Sequence, residues 1–257
     1  MVILVNKRLF LIVLILLFSL GFARNIAFAI SETKLTASDA AIGDLFGRSV
    51  SISGNIVVVG AATDDDAGSS SGSAYVFRYN GTSWAEESKL TASDAAAGDY
   101  FGQSVSISGE TIVVGAYGDD DAGGNSGSAY VFRHNGTTWA EETKLTASDG
   151  IAEKYFGQSA SISGDNIVVG AVANYVPAPN PGSAYVFRYS GGRWVEKAKL
   201  RPSVGSGNEV FGWSVSINGD TVVVGAIYIE AAYVFGITDI LISNKPMPWI
   251  PLLLLGD

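Results

Sequence analysis

The chain has 257 residues, of which 47% are hydrophobic and 16% are charged, and its 31 glycines accompany many valine, isoleucine, serine and threonine residues. This composition favours short β-strands joined by tight turns over helices. The formal net charge of −9 argues against nucleic-acid binding because an acidic surface repels phosphate, and the absence of cysteine excludes disulfides and thiolate metal sites.

Residues 1–29 have the form of a secretory signal peptide. Lys7 and Arg8 precede an apolar run from Leu9 to Phe22, and Ala27-Phe28-Ala29 offers the small residues that signal peptidase accepts. The apolar run is shorter than the roughly 20 residues that a membrane-spanning helix needs. We therefore expect cleavage after Ala29 and an exported chain that is secreted or held at the cell surface and does not span a membrane after signal removal. The alternative is an uncleaved membrane anchor.

Four copies of a 55-residue unit occupy residues 30–243. Three landmarks keep the register: Lys-Leu pairs at Lys34, Lys89, Lys144 and Lys199, Phe-Gly pairs at Phe46, Phe101, Phe156 and Phe211, and Gly-Ala pairs at Gly60, Gly115, Gly170 and Gly225. Tyr75, Tyr130 and Tyr185 in Ala-Tyr-Val-Phe are a fourth landmark. The matching Tyr233 comes early, which indicates a shortened loop in the last copy.

Each copy carries four strand signals, which the second copy shows most clearly. Ser104–Ser108 alternates polar and apolar residues, and Ile112–Ala116 is apolar, as a strand covered on both faces must be. Ala129–Phe132 is the third predicted strand and Trp139–Thr146 the fourth. Asn135-Gly136 between them predicts a type I′ hairpin.

Four antiparallel strands per copy, apolar on both faces, predict an all-β fold in which the sheets stack as the blades of a β-propeller. The alternative, tandem sandwiches, is disfavoured because one copy is too small to bury two sheets. We expect the Phe of each Phe-Gly pair to fill the space between blades. Residues Ile30–Thr36 resemble the fourth strand Ala140–Thr146, so we expect them to complete the last blade and close the ring, with Asp239–Ile242 as a competing strand.

Phe-Gly followed by Val-Val-Gly-Ala in every copy resembles the FG-GAP repeats of the integrin α-chain propeller and of related bacterial surface proteins. The resemblance covers residues 30–235 and implies a propeller that serves in extracellular adhesion or ligand recognition. The calcium hairpin of that family is replaced by short turns such as Ser108-Gly109-Glu110, so we expect its usual calcium site to be absent. Propellers of that family commonly have more blades, and both a small closed ring and a shortened chain remain open.

The strand directions place two sets of acidic loops on one face of the fold. The loops that lead into the blades carry Asp39, Asp44, Asp94, Asp99, Asp149 and Glu153. We predict that a protein or glycan ligand binds this face through Asp64, Asp65, Asp66, Asp119, Asp120, Asp121 and Tyr175, the last beside the proline-rich stretch 177–181.

Calcium is the one cofactor that these loops suggest, with Asp64, Asp66, Asp119 and Asp121 as candidate ligands, because clustered carboxylates bind Ca²⁺. The alternative is solvated loops without any cofactor, since neither triplet matches Asp-x-Asp-x-Asp-Gly.

The sequence offers little for catalysis, and we expect no enzymatic activity. The single histidine, His134, adjoins a predicted hairpin, and no phosphate loop, zinc spacing or dinucleotide fingerprint is present. A secreted hydrolase that acts on polysaccharide through two carboxylates is the alternative. The apolar C-terminal tail, residues 244–257, is too short to span a bilayer.

Overall fold

The computed structural model describes residues 31–172, 181–202 and 210–237. The predicted signal peptide (1–29), Tyr175, the competing strand Asp239–Ile242 and the tail (244–257) lie outside these residues. The chain divides into two compact units, Met1–Lys34 and Leu35–Asp257, and the second contains every strand of the described residues. Within the described ranges, no helix has the length and apolar character needed to cross a membrane.

The first three copies each fold into a four-stranded antiparallel sheet, which we call a blade, with the strands in chain order across it. Blade 1 consists of β1 (Phe46–Ser53), β2 (Ile56–Ala61), β3 (Ser73–Tyr79) and β4 (Trp84–Leu90). Blade 2 consists of β5 (Ser104–Ser108), β6 (Thr111–Ala116), β7 (Ser128–His134) and β8 (Trp139–Leu145). Blade 3 consists of β9 (Phe156–Ser163), β10 (Asn166–Ala171), β11 (Ser183–Ser190) and β12 (Arg193–Leu200). The predicted all-β fold is confirmed.

Blade 4 has three strands among the described residues: β13 (Phe211–Asn218), β14 (Thr221–Ala226) and β15 (Ala231–Gly236). One turn of 3-10 helix, Ile227–Ile229, joins β14 to β15 and accounts for the early arrival of Tyr233. The fourth strand predicted at the N-terminus is absent from the described residues, since 31–45 contain no strand. Leu35 and Ala37 instead pack against blade 1, in the cluster that contains Tyr75 and Phe77. Ring closure by the N-terminal strand is therefore not confirmed.

The second strand of each blade is its most buried element. All six residues of β6 are buried, as its continuous apolar run predicts for a strand with a neighbour on each face. Its partner β5 joins it through a tight turn at Gly109, whose φ of 58° lies in the left-handed region that glycine adopts without strain.

The hairpin between the third and fourth strands differs from the predicted type I′ turn. Gly136 has a φ of 94°, but Asn135 does not have the positive φ that this turn requires. The Oδ1 of Asn135 instead accepts hydrogen bonds from the backbone N–H groups of Thr137 and Thr138, each at 3.0 Å. The Asn135 side chain thus forms the turn in place of the type I′ backbone geometry. In blade 3, Gly191 and Gly192 both have positive φ, so this hairpin has the backbone geometry that a type I′ turn requires. The corresponding hairpins of blades 1 and 2 lack that geometry.

Consecutive blades pack face to face through three apolar clusters. We call the side of a blade that contacts the following blade its front face, and the opposite side its rear face. Val113 and Val131 on the front face of blade 2 share a cluster with Phe156 and Ile162 on the rear face of blade 3. Phe101, Phe156 and Phe211 are fully buried, so the predicted placement between blades is confirmed for these three rings, whereas Phe46 of blade 1 has no preceding blade and is half-buried.

The first strands of neighbouring blades lie close enough for backbone contact. The Ser104 hydroxyl donates a hydrogen bond to the carbonyl of Gly157 at 2.9 Å, and the Ser106 Oγ accepts one from the N–H of Ile162 at 3.1 Å. A Cβ at Gly115 would lie 2.0 Å from the Gly157 carbonyl oxygen, so only glycine allows this approach. The Gly-Ala landmark is therefore a requirement of blade stacking.

Candidate functional site

The leading loops of blades 1–3 (37–45, 91–100 and 146–155) and the loops between the second and third strands of blades 1 and 2 (62–72 and 117–127) meet on one face, which we call the acidic loop face. The two sets are joined by backbone hydrogen bonds: Gly98 N–H donates to Ser69 O at 2.9 Å, and Tyr100 N–H donates to Ser70 O at 3.0 Å. In the described residues, the two sets of loops therefore lie together on one face, as predicted.

A cluster of three carboxylates around one lysine occurs twice on this face. In the second carboxylate cluster, Lys144 Nζ lies 2.8 Å from Asp94 Oδ2, 2.7 Å from Asp119 Oδ2 and 2.5 Å from Asp121 Oδ2. The three acids come from two loops, and the lysine comes from the end of β8. The constant spacing of the repeat brings these distant residues together.

The first carboxylate cluster repeats this arrangement in blade 1. Lys89 Nζ lies 2.7 Å from Asp39 Oδ2 and 3.1 Å from Asp64 Oδ2, and it also pairs with Asp66. Tyr75 OH lies 2.8 Å from both Asp39 Oδ1 and Asp64 Oδ2. The single hydroxyl proton can satisfy only one carboxylate at a time, so the lysine supplies most of the compensation.

Blade 3 has a reduced version of the cluster. Lys199 pairs with Asp149, and Tyr185 OH donates to Asp149 Oδ1 at 2.6 Å. The positions that match Asp64 and Asp66 hold Asn174 and Val176 in the sequence and lie outside the described residues. The carboxylate content of the face therefore falls from blade 2 to blade 3.

The contacts within the second carboxylate cluster favour the charged forms of Asp94 and Lys144 and the neutral form of Tyr130. Burial alone would raise the pKa of Asp94, but the hydrogen bond from Lys144 lowers it below its usual value. Burial, reinforced by the neighbouring carboxylates, raises the pKa of Tyr130 far above its usual value. The same carboxylates raise the pKa of Lys144, although burial opposes the rise.

Each carboxylate cluster offers three oxygens within 4.8 Å of one another, which is a spacing that could hold a cation. The lysine ammonium already lies among these oxygens and opposes a second positive charge. Of the predicted calcium ligands, Asp64 and Asp66 join Asp39, and Asp119 and Asp121 join Asp94. The sequence-based prediction did not include the lysines, although their strict recurrence with Lys-Leu was the available signal.

The middle aspartate of each triplet stands apart from the clusters. Asp65 is exposed, and its Oδ1 accepts a hydrogen bond from the Ser70 N–H at 2.7 Å. Asp120 is also exposed. Asp44 and Asp99 serve their own loops, where each accepts a backbone N–H three residues earlier, at 2.6 and 2.7 Å. The exposed carboxylates of the two triplets are therefore those of Asp65, Asp66, Asp120 and Asp121.

Three half-buried tyrosines form a row in the same loops. Tyr100 and Tyr117 stack with their ring centroids 4.9 Å apart, and Tyr117 lies 5.9 Å from Tyr155. Tyr100 and Tyr155 have φ values of 55° and 49°, which are uncommon for bulky residues. The sequence-based prediction missed this row. Both residues directly precede a Phe-Gly pair, which was the only signal available.

His134 does not join any group of catalytic residues in the described part of the chain. Its ring packs 5.1 Å from that of Trp139 at the end of β7, on the side of the fold that carries the short hairpins. Its nearest acids are Glu87 at 3.7 Å and Glu110 at 3.9 Å.

Comparison with known proteins gives one clear result. The model of the FG-GAP repeat matches residues 30–77, 84–132, 139–187 and 194–235. Among curated proteins, no sequence matches the chain. Among solved structures, a europium-containing methanol dehydrogenase is similar at 12% identity and a TM-score of 0.38, over 56% of this chain and 23% of the dehydrogenase chain. Because the family model matches most of the chain in all four copies, the chain belongs to the FG-GAP repeat family.

Proposed function

We propose that the chain is an exported, non-catalytic binding module that recognises a protein or glycan ligand through its acidic loop face. The observation that carries the proposal is the coincidence of exposed carboxylates and an aromatic row on one face. Tyr117 lies in the same loop as Asp120 and Asp121, and Tyr100 of the adjoining leading loop stacks on it. Surfaces with aromatic rings beside polar groups are typical of recognition sites.

The charge of the face favours a ligand with cationic groups. Each complete carboxylate cluster contains three acids and one lysine, so a negative charge remains after internal pairing. The faces of tyrosine rings also attract cations. A basic protein surface or an amino sugar fits this chemistry, whereas a nucleic acid does not.

Two observations support an extracellular place for this function. FG-GAP repeats occur in extracellular proteins. The segment before Ile30 also has the order of charged, apolar and small residues that secretory signals share.

The test is binding of the purified exported chain to an array of neutral, acidic and amino-sugar glycans and to a panel of basic extracellular proteins. We expect binding to a cationic probe that falls about tenfold or more when Asp65 and Asp120 are changed to Asn. These two residues lie outside the lysine clusters, so the fold should be unaffected. The matched control is Asp165→Asn, in the β9–β10 turn on the opposite side.

Two outcomes would contradict this function. Absence of binding to every probe would remove the proposed ligand classes, and binding unchanged by the Asp65 and Asp120 substitutions would remove the acidic loop face. Incubation of the same preparation with polysaccharides, followed by measurement of reducing ends, tests the hydrolase alternative. Release of reducing ends would show that the module is not purely a binder.

A further inference from the structure

The described blades end in two apolar faces that solvent reaches. On the rear face of blade 1, Val50 and Ile52 are 68% and 63% exposed. Their equivalents on blade 2, Val105 and Ile107, are 7% and 6% exposed because blade 1 covers them. Position in the stack, and not residue type, therefore accounts for the exposure.

The front face of blade 4 is open in the same way. Val223 and Val234 are 37% and 70% exposed, whereas the equivalent Val113 and Val131 on blade 2 are fully buried against blade 3. The open rear face and the open front face are thus the two halves of an interface that the chain already makes three times.

The polar and backbone features of that interface are also present at both ends. Blade 4 has Ser214 and Ser216 where blade 2 has the serines that bond to blade 3. Gly225 keeps the position at which a neighbouring carbonyl approaches, although no following blade lies there in the described part of the chain. On blade 1, Gly47 has a φ of 92°, close to the 93° of Gly157, and a Cβ there would meet no atom within 4 Å.

We propose that blade 4 of one chain packs against blade 1 of a second copy, so that copies associate head to tail. The chain's own blade 1 does not fill this role, because Val50 and Val234 are both exposed in the same structure. A second copy supplies a rear face with the chemistry that blades 2, 3 and 4 present to their predecessors. Such an interface is heterologous, since it joins two different surfaces.

The rear face that the second copy supplies also includes two residues that precede β1. Leu35 and Ala37 pack on blade 1 as Leu90 and Ala92 pack with blade 2.

The part of the proposed interface near the connection between β14 and β15 differs from the corresponding part of the three internal interfaces. Gly127 contacts the Phe156 backbone so closely that a Cβ would lie 2.0 Å from its carbonyl oxygen, and Glu230 occupies the equivalent position in blade 4. The proposed interface is therefore confined to the first strands and the centre of the face.

The test is the oligomeric state of the exported chain, measured by sedimentation velocity, for the wild type and for Val50→Asp and Val234→Asp. Both side chains are exposed, so circular dichroism should show that the variants fold. We expect the wild type to associate. Each variant should weaken association at least about tenfold, since it places a charge on one of the two apolar faces of every copy. An equal mixture of the two variants should form a 1:1 complex through the intact faces. The matched control, Ile151→Asp in the leading loop of blade 3, should associate like the wild type.

Two results would overturn the proposal. If the chain closes its own ring, the wild type stays monomeric and both variants melt at lower temperature than Ile151→Asp. If the wild type associates but the mixed variants do not form the 1:1 complex, another surface joins the copies.

Discussion

The free energy of unfolding that is lost when the Phe156 ring is removed measures how strongly two neighbouring blades stabilise each other. The ring is fully buried, packs edge-on at 5.5 Å from Tyr185 and 6.0 Å from Phe187, and shares a cluster with Val113 and Val131 of blade 2. Removal of a fully buried phenyl ring leaves a cavity between blades. We expect Phe156→Ala to lower the free energy of unfolding by about 3–5 kcal/mol.

Blade 1 provides the matched control. Phe46 makes the same contacts within its own blade, at 5.6 Å from Tyr75 and 6.1 Å from Phe77, but it has no preceding blade and is only half-buried. We expect Phe46→Ala to cost about half as much, roughly 1.5–2.5 kcal/mol. The difference between the two variants isolates the contribution of the neighbouring blade.

The assay is urea denaturation followed by tryptophan fluorescence and circular dichroism. Both variants are made in a Val234→Asp background, which keeps the proposed association from covering Phe46. Equal losses for Phe46→Ala and Phe156→Ala, or no loss for Phe156→Ala, would refute the argument that blade stacking stabilises the fold.

Three further predictions concern the carboxylate clusters. Lys144→Met should lower the free energy of unfolding by about 2–3 kcal/mol, because three carboxylates lose their counterion, whereas Lys199→Met, with one carboxylate partner in the described residues, should cost about 1 kcal/mol. Millimolar calcium should raise the melting temperature of Lys144→Met and leave the wild type unchanged; a calcium response of the wild type would show that the ammonium does not exclude the ion. Burial opposes the shift, but hydrogen bonds from Lys199 and Tyr185 lower the pKa of Asp149 from 3.8 to about 2, so its contribution to stability is complete above pH 3.8 and is lost as the pH falls towards 2. Urea titrations across this range should show a smaller acid destabilisation for Asp149→Asn than for the wild type, and equal losses would contradict the assignment.

The sequence was sufficient for the blades because their residues follow a strict repeat. Apolar runs such as Ile112–Ala116 and the recurring Phe-Gly pairs report local periodicity and burial, and both were predicted correctly. The hairpin at Asn135 was predicted wrongly because a side chain and a backbone turn can satisfy the same N–H groups, and composition does not separate the two.

The site was less accessible to sequence reasoning because its residues are distant in the chain. Asp94 and Lys144 are separated by a whole blade, and only the folded strands bring them within hydrogen-bonding distance. The fourth strand that blade 4 lacks among the described residues was predicted wrongly for a similar reason. The resemblance of residues 31–36 to an outer strand shows what the segment can form, but not which edge it reaches.

The glycine that lets a neighbouring carbonyl approach also affects how such chains gain or lose whole repeat units. Because every internal boundary relies on the same few contacts, a whole unit can be duplicated or lost between two others without new chemistry at either junction. A methyl group at Gly115 would separate two adjoining units, while the boundaries elsewhere would keep their contacts. Molecules of this kind can therefore grow or shrink by modular steps while both termini of the stack stay the same.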